Sequence, residues 1–268
     1  MKRTIIDLTF RQRIFILSGL LAAGLAGLFA LEPVPQDPAY HLFADARSFF
    51  SVPNFNDVVS NAGFAVVGAL GIIAAAGRKR RRIFLHRIDA RPYIVFFIAV
   101  VLISLGSAYY HWAPSKERLF WDRLPMSVAF MAFLSAIIAD RIDAKAGITW
   151  LLPVLVILGL LSLIYWIWTE SLGRGDLRFY GFVQFFPLIV LPLLCWLFPA
   201  HRYTSDRYIA WVIAWHGLSK ILEHFDGEVF HLLGQTVSGH TLKHLAAAVA
   251  TFVVLNMLLS LQPKSNSP

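Results

Sequence analysis

Cysteine is almost absent. Cys195 is the only one in 268 residues, so no disulfide within the chain can hold together a small secreted scaffold. Charge is scarce too. Only 15% of the residues are Asp, Glu, Lys or Arg, against about 25% in an ordinary soluble domain. That scarcity excludes a normally solvated globule. The chain contains no G-x-S-x-G elbow, no H-E-x-x-H helix and no Walker loop, so the mechanisms those motifs carry have no support. There is no internal repeat, and the linkers are too short to separate off a soluble domain.

What the chain has in quantity is apolar side chain. Hydrophobic residues make up 57% and aromatics 14%, and the mean hydropathy is +0.63. Disorder is excluded by that content, and a membrane protein is indicated. A helix crosses the hydrocarbon with about 20 mostly apolar residues. Charge-free stretches of that order run between Arg13 and Glu32, Asp57 and Arg78, Arg91 and Lys116, Lys145 and Glu170, Arg178 and Asp206, and Lys243 and Lys264. A shorter one lies between Arg123 and Asp140. The stretch from Arg207 to Lys220 crosses only if Lys220, Glu223 and His224 lie within or at the end of its helix. Pro187 and Pro192 are expected kinks in the sixth span. Eight spans result.

The first span follows Lys2, Arg3, Arg11 and Arg13 and resembles a signal peptide, but its apolar run is longer than the usual h-region. It is read as a retained helix. The expected fold is an all-α membrane protein with a seven-helix core and one extra N-terminal helix. The expected organisation is residues 1–35 for the N-terminal segment and extra helix, 36–262 for a seven-helix hydrolase domain, and 263–268 for a cytoplasmic tail.

With the N-terminus placed inside, the inner segments hold about two thirds of the Lys and Arg but only about a third of the acidic residues. This is the positive-inside pattern. It places both termini in the cytoplasm, and the compact chain with short loops points to a bacterial inner membrane. Arg78, Lys79, Arg80, Arg81 and Arg82 form an inner run that reads as a topology signal or an anionic-lipid contact. A nucleic-acid partner is not expected, because no domain is present to carry one.

Polar groups inside a membrane are costly and mark functional sites. Ser107, His111, Asp122, Lys220, Glu223, His224, His240 and His244 all fall at the outer, periplasmic ends of their spans. One shared pocket is the economical explanation. His240 and His244 form H-x3-H, one turn apart on one helix face. With His111 they make a three-His set of the kind that holds zinc and leaves a fourth position open. The alternative is interfacial histidines facing headgroups. Lys220 and Glu223 read as an interfacial ion pair, His216 as a packing residue, and His41, His86 and His201 as surface residues.

At these positions the sequence resembles the alkaline ceramidase family, within the CREST group of membrane hydrolases and receptors. The carrying segments are Gly106–His111, Trp121–Met126, Ser238–His244 and Pro53–Asn61, spread over about four fifths of the chain. The resemblance implies zinc on His111, His240 and His244, with Ser107 and Asp122 as catalytic residues flanking a metal-bound water. It implies a lipid amidase that cleaves ceramide-like N-acyl lipids, Asp122 acting as base and Ser107 as oxyanion donor. It also carries a calcium site, for which Asp45 and Asp57 are present while Asn54 stands where an acid is expected. The alternatives are a non-catalytic, receptor-like member of the same group, a bis-His haem protein, and a proton-coupled transporter. The transporter would want its polar residues at mid-membrane.

Overall fold

The computed structural model describes residues 8–78 and 80–260. Lys2, Arg3, Lys79 and the 263–268 tail, on which parts of the topology reading rest, lie outside the described residues. Among the described residues the α-helices are α1 (Phe10–Ala30), α2 (Phe55–Val59), α3 (Ala62–Ala76), α4 (Arg80–Ile83), α5 (Arg91–Trp112) and α6 (Lys116–Arg141). They continue with α7 (Leu152–Ser171), α8 (Arg178–Leu197), α9 (Asp206–His224), α10 (Asp226–Leu232) and α11 (Gly239–Ser260). A one-turn π-helix, Ala146–Leu151, leads into α7. No strand occurs among the described residues. The fold is all-α, and it is that of an integral membrane protein.

Among the described residues seven helices are long and apolar enough to cross a membrane: Phe10–Ala30, Phe55–Ala76, Arg87–Trp112, Lys116–Arg141, Ala146–Ser171, Arg178–Leu197 and Gly239–Ser260. The expected eighth, between Arg207 and Lys220, is the 19-residue α9, which is not among these seven. Asp206 and Arg207 at one end and Lys220 and Glu223 at the other leave it a shorter apolar run than the seven. Nevertheless it packs along α11. Burial within the bundle supplies what hydropathy does not.

Local chemistry sets the helix ends near the site. Ser115 caps α6, accepting from Arg118 N at 3.3 Å. Pro92 sits in the first turn of α5, where a missing N–H costs nothing. The fourth span is longer than its charge-free stretch: α6 begins at Lys116, so Asp122 and Arg123 lie inside it rather than at its start. They are tolerated because both are buried against the protein interior.

Close helix approach depends on two glycines that also place site residues. A Cβ at Gly106, next to Ser107, would collide with the Trp121 carbonyl of α6. A Cβ at Gly239 would collide with the Leu222 carbonyl of α9 and press on Asp226. Small residues at such crossings are how membrane helices pack without a hydrophobic driving force.

The N-terminal helix α1 lies against α8 and is held at both ends. Arg13 donates to the Leu197 carbonyl at 2.7 Å. Arg178 donates to the carbonyls of Leu28 and Leu31, which its own helix leaves free. Between them Gly24 packs against the stacked rings of Phe182 and Phe186.

At the end of the bundle that carries α4 and the start of α5, Arg141 is enclosed. It donates to Phe198 O at 2.9 Å, Thr204 Oγ1 at 3.1 Å, Thr204 O at 2.5 Å and Asp206 Oδ1 at 2.7 Å. Beside it, Asp140 accepts the backbone N–H groups of Arg202, Tyr203 and Thr204.

Candidate metal centre

The C-terminal turn of α5 and the N-terminal turns of α11 meet at the opposite end. There His111, His240 and His244 converge, with one ring nitrogen of each within 4.8 Å of the others. The rings stand edge to face, with centroids 4.8 to 5.0 Å apart. All three residues are buried. Among the described residues this is the one cluster of His, Cys, Asp or Glu that can hold a metal ion.

The donor set fits a metal. His111 Nε2 and His240 Nε2 are 3.3 Å apart. Two ligands at about 2.0–2.1 Å from one tetrahedral zinc stand about 3.3 Å from each other. His244 Nε2 is buried and has no hydrogen-bond partner, as a lone pair reserved for a cation would be. The centre therefore joins α5 to α11 through three side chains that could hold a metal ion. Nothing in the geometry singles out zinc among such ions.

The surroundings hold the rings in place. Ser60 Oγ lies 2.8 Å from His244 Nδ1. Asn54 Nδ2 donates to the His111 carbonyl at 2.8 Å. Asp226 Oδ1 accepts the His240 backbone N–H at 2.7 Å, and its other oxygen accepts Ala44 N at 3.0 Å. Phe43 lies over the rings of His111 and His240, at 4.6 and 4.8 Å. Lys243 Nζ is 2.9 Å from His240 Nε2 and 3.0 Å from Glu223 Oε1. Glu223 also takes Lys220 at 2.8 Å and the Tyr40 hydroxyl at 3.0 Å. The Lys220–Glu223 pair is thus part of a five-residue polar network that includes His240, not an isolated interfacial pair.

Ser107 and Asp122 are brought to the same place. Both line a cavity of about 140 Å³ that His244, Lys243 and Glu223 also reach. Of the three histidines only His244 is on its wall. His216 lies on the same cavity, against the Phe130 ring. Next to Asp122, the Arg123 guanidinium is enclosed by the rings of Tyr40, Trp166 and Tyr180 at 4.8 to 5.1 Å.

The two acids named for calcium have other commitments. Asp45 pairs with Arg47 through both oxygens, at 2.7 Å each, and accepts Asn56 Nδ2 at 2.8 Å. Burial works to raise its pKa, but the hydrogen bonds from Arg47 and Asn56 outweigh it and hold the carboxyl below the usual range. Asp57 is fully buried and accepts the Thr241 hydroxyl at 2.6 Å. Asn54, in the left-handed region at φ 46°, turns its side chain to the His111 carbonyl rather than to either acid. His41 is not a free surface residue either. Its Nδ1 is 2.9 Å from the Tyr110 hydroxyl, and burial together with Arg123 and Lys116 lowers its pKa.

Several of these partners escape a reading of spacing. Phe43 and Asp226 lie in segments far from His111 in sequence, and nothing local marks them. Ser60 lies in the Pro53–Asn61 segment, where the S-N pair next to a span was the available signal.

In comparisons with known proteins, the model of the dsRNA-gated channel SID-1 family matches residues 30–204. No curated protein and no solved structure matches the chain. The matched region is more than half of the chain and includes Ser107, His111 and Asp122. It ends before α9 and α11. This finding overturns the assignment to the alkaline ceramidases, and with it the hydrolase activity, the zinc-dependent lipid amidase reaction, the catalytic reading of the chain and the ceramide-like partner. The exclusion of nucleic acid falls too, because the matched family is named for a double-stranded RNA. The physical reason is that S-x3-H, Asp and H-x3-H at helix ends specify a buried polar centre. A centre of that kind does not dictate the chemistry of the bundle that carries it.

Proposed function

The chain belongs to the dsRNA-gated channel SID-1 family, and on that footing we propose that it is a non-catalytic, receptor-like membrane protein that binds double-stranded RNA. In this reading a zinc ion on His111, His240 and His244 ties the family-matched part of the bundle to its last helix. The observation that carries the non-catalytic reading is the closure of the three-His centre. Two of its rings lie under Phe43 and only His244 touches the cavity. Structural metal sites are closed, whereas catalytic ones keep an open position. Zinc is among the divalent ions that an all-imidazole donor set suits.

The RNA reading rests on the family and on charge. Arg78, Arg81, Arg82, Arg87, Arg91 and Arg202 are exposed at the end of the bundle remote from the histidines. Duplex phosphates are bound chiefly by such side chains. The exposure of these arginines favours binding of a duplex at the surface of the chain. The same charge distribution supports a cytoplasmic place for both termini and the arginine end, and the compact chain with short loops supports a bacterial inner membrane. The reading also keeps residues 36–262 as one helical domain, with residues 1–35 added to it.

The test is binding of labelled duplex RNA to protein in neutral-lipid vesicles. Binding should weaken steeply as salt rises and several-fold in Arg81→Gln/Arg82→Gln, and the metal-loaded protein should leave N-acyl amides intact. No duplex binding at low salt and micromolar protein would overturn the RNA reading, and turnover of the amides the non-catalytic one.

A further inference from the structure

We infer that Ser60, through its hydroxyl, sets the tautomer of His244 so that the lone pair on Nε2 faces the metal centre. The inference rests on the metal reading above and concerns a residue outside the three ligands.

The argument is a count of protons. A serine hydroxyl has one proton to give and lone pairs to receive. Ser60 Oγ lies 3.1 Å from the Asp57 carbonyl oxygen and 2.8 Å from His244 Nδ1. A carbonyl can only accept, so the hydroxyl proton goes to Asp57. The hydroxyl then receives from the imidazole, and Nδ1 carries a hydrogen.

In a neutral imidazole a hydrogen on Nδ1 leaves Nε2 bare. Nε2 is the atom of His244 that is buried and without a partner, and it belongs to the ring that shares a cluster with His111 and His240. Partners of this kind fix ring orientation and raise the basicity of the liganding nitrogen. The local fold makes the contact possible. Ser60 ends α2, where its N–H closes onto Asn56 O at 3.0 Å. Its neighbour Asn61 donates to the same Asp57 carbonyl at 2.7 Å, and Thr241 of α11 donates to Asp57 Oδ1 at 2.6 Å. Asp57 therefore anchors both α11 and the turn that presents Ser60 to it.

The experiment compares wild type, Ser60→Ala and Ser60→Thr. Zinc affinity is measured by chelator competition, and the ring nitrogens are followed by nitrogen-15 spectra of histidine-labelled protein, with His244→Ala assigning the signal. Ser60→Ala should bind zinc about 10- to 100-fold more weakly and lose the uniform Nδ1–H signature of His244. Ser60→Thr, which keeps the hydroxyl, should restore both. Ser60→Ala protein with wild-type zinc affinity and an unchanged Nδ1–H signal would overturn the inference. If Ser60→Ala does not fold, a Ser60→Thr protein in which His244 is protonated on Nε2 overturns it as well. A wild-type chain that takes up no zinc would instead overturn the metal reading, and the nitrogen-15 spectra would still decide whether Ser60 sets the tautomer.

Discussion

His111 Nε2 and His240 Nε2 face each other at 3.3 Å, one at the end of α5 and the other at the start of α11. Residues separated by 129 positions in sequence thus stand at the distance two ligands keep on a single ion. Lys243, one turn from His240 on α11, approaches the same nitrogen and is held by Glu223 of α9. The centre is a junction of three helices, and its occupancy should govern how firmly α11 is attached.

Purified protein should carry about one zinc per chain by elemental analysis. His240→Ala/His244→Ala should lose it, and His201→Ala, whose ring nitrogen Nδ1 lies 2.8 Å from the Pro199 carbonyl and outside the cluster, should not. Removing the ion with a chelator should lower the midpoint of thermal unfolding, because a ligand bound only to the folded state stabilises it. Full zinc retention in the double variant would sink the assignment.

Arg141 should be the most sensitive charged residue at the opposite end. Its side chain is fully buried and serves three acceptors from the Phe198–Thr204 segment besides Asp206. Arg141→Leu should cost about 3–5 kcal/mol by leaving those acceptors unpaired in the interior. Unfolding in detergent measures this. A loss below about 1 kcal/mol would show that water reaches the segment.

Acid should loosen the α1–α8 contact before the rest of the bundle. Burial works to raise the Asp176 carboxyl, but hydrogen bonds from the Arg178 side chain and backbone and from Tyr165 prevail and pull it down to about 2. Its ordinary value is 3.8. A depressed carboxyl stabilises the folded state fully above its unfolded value, and that stabilisation drains as pH falls towards the folded one. About 2 kcal/mol should therefore be lost between roughly pH 4 and pH 2, with faster amide exchange in the Leu28–Leu31 carbonyl clamp of Arg178. In Asp176→Asn that pH step should disappear.

A reporter fused after Lys264 should be active only on the cytoplasmic side. The reason is the excess of Lys and Arg in the segments assigned to that side. Activity on the opposite face would invert the topology and place the arginine end outside the cell.

Membrane residence and the positions of seven spans were legible in the sequence, because hydropathy and length are properties of a segment by itself. So was the pairing of His240 with His244, since a spacing of four on a helix is one turn whatever surrounds it. The length of α6 was less legible. Asp122 and Arg123 look like a boundary in sequence and become interior residues only because the bundle buries both, Arg123 among the rings of Tyr40, Trp166 and Tyr180. The use of the centre was not legible at all, since the amidase reading came from the resemblance and the spacing by itself specifies only a polar centre. Tertiary structure alone decided that Phe43 closes over the three histidines, that Ser60 meets His244 and that α9 belongs to the bundle despite its charges. These contacts link segments tens to nearly two hundred residues apart, and their energy comes from burial and hydrogen bonds that exist only once the helices have packed.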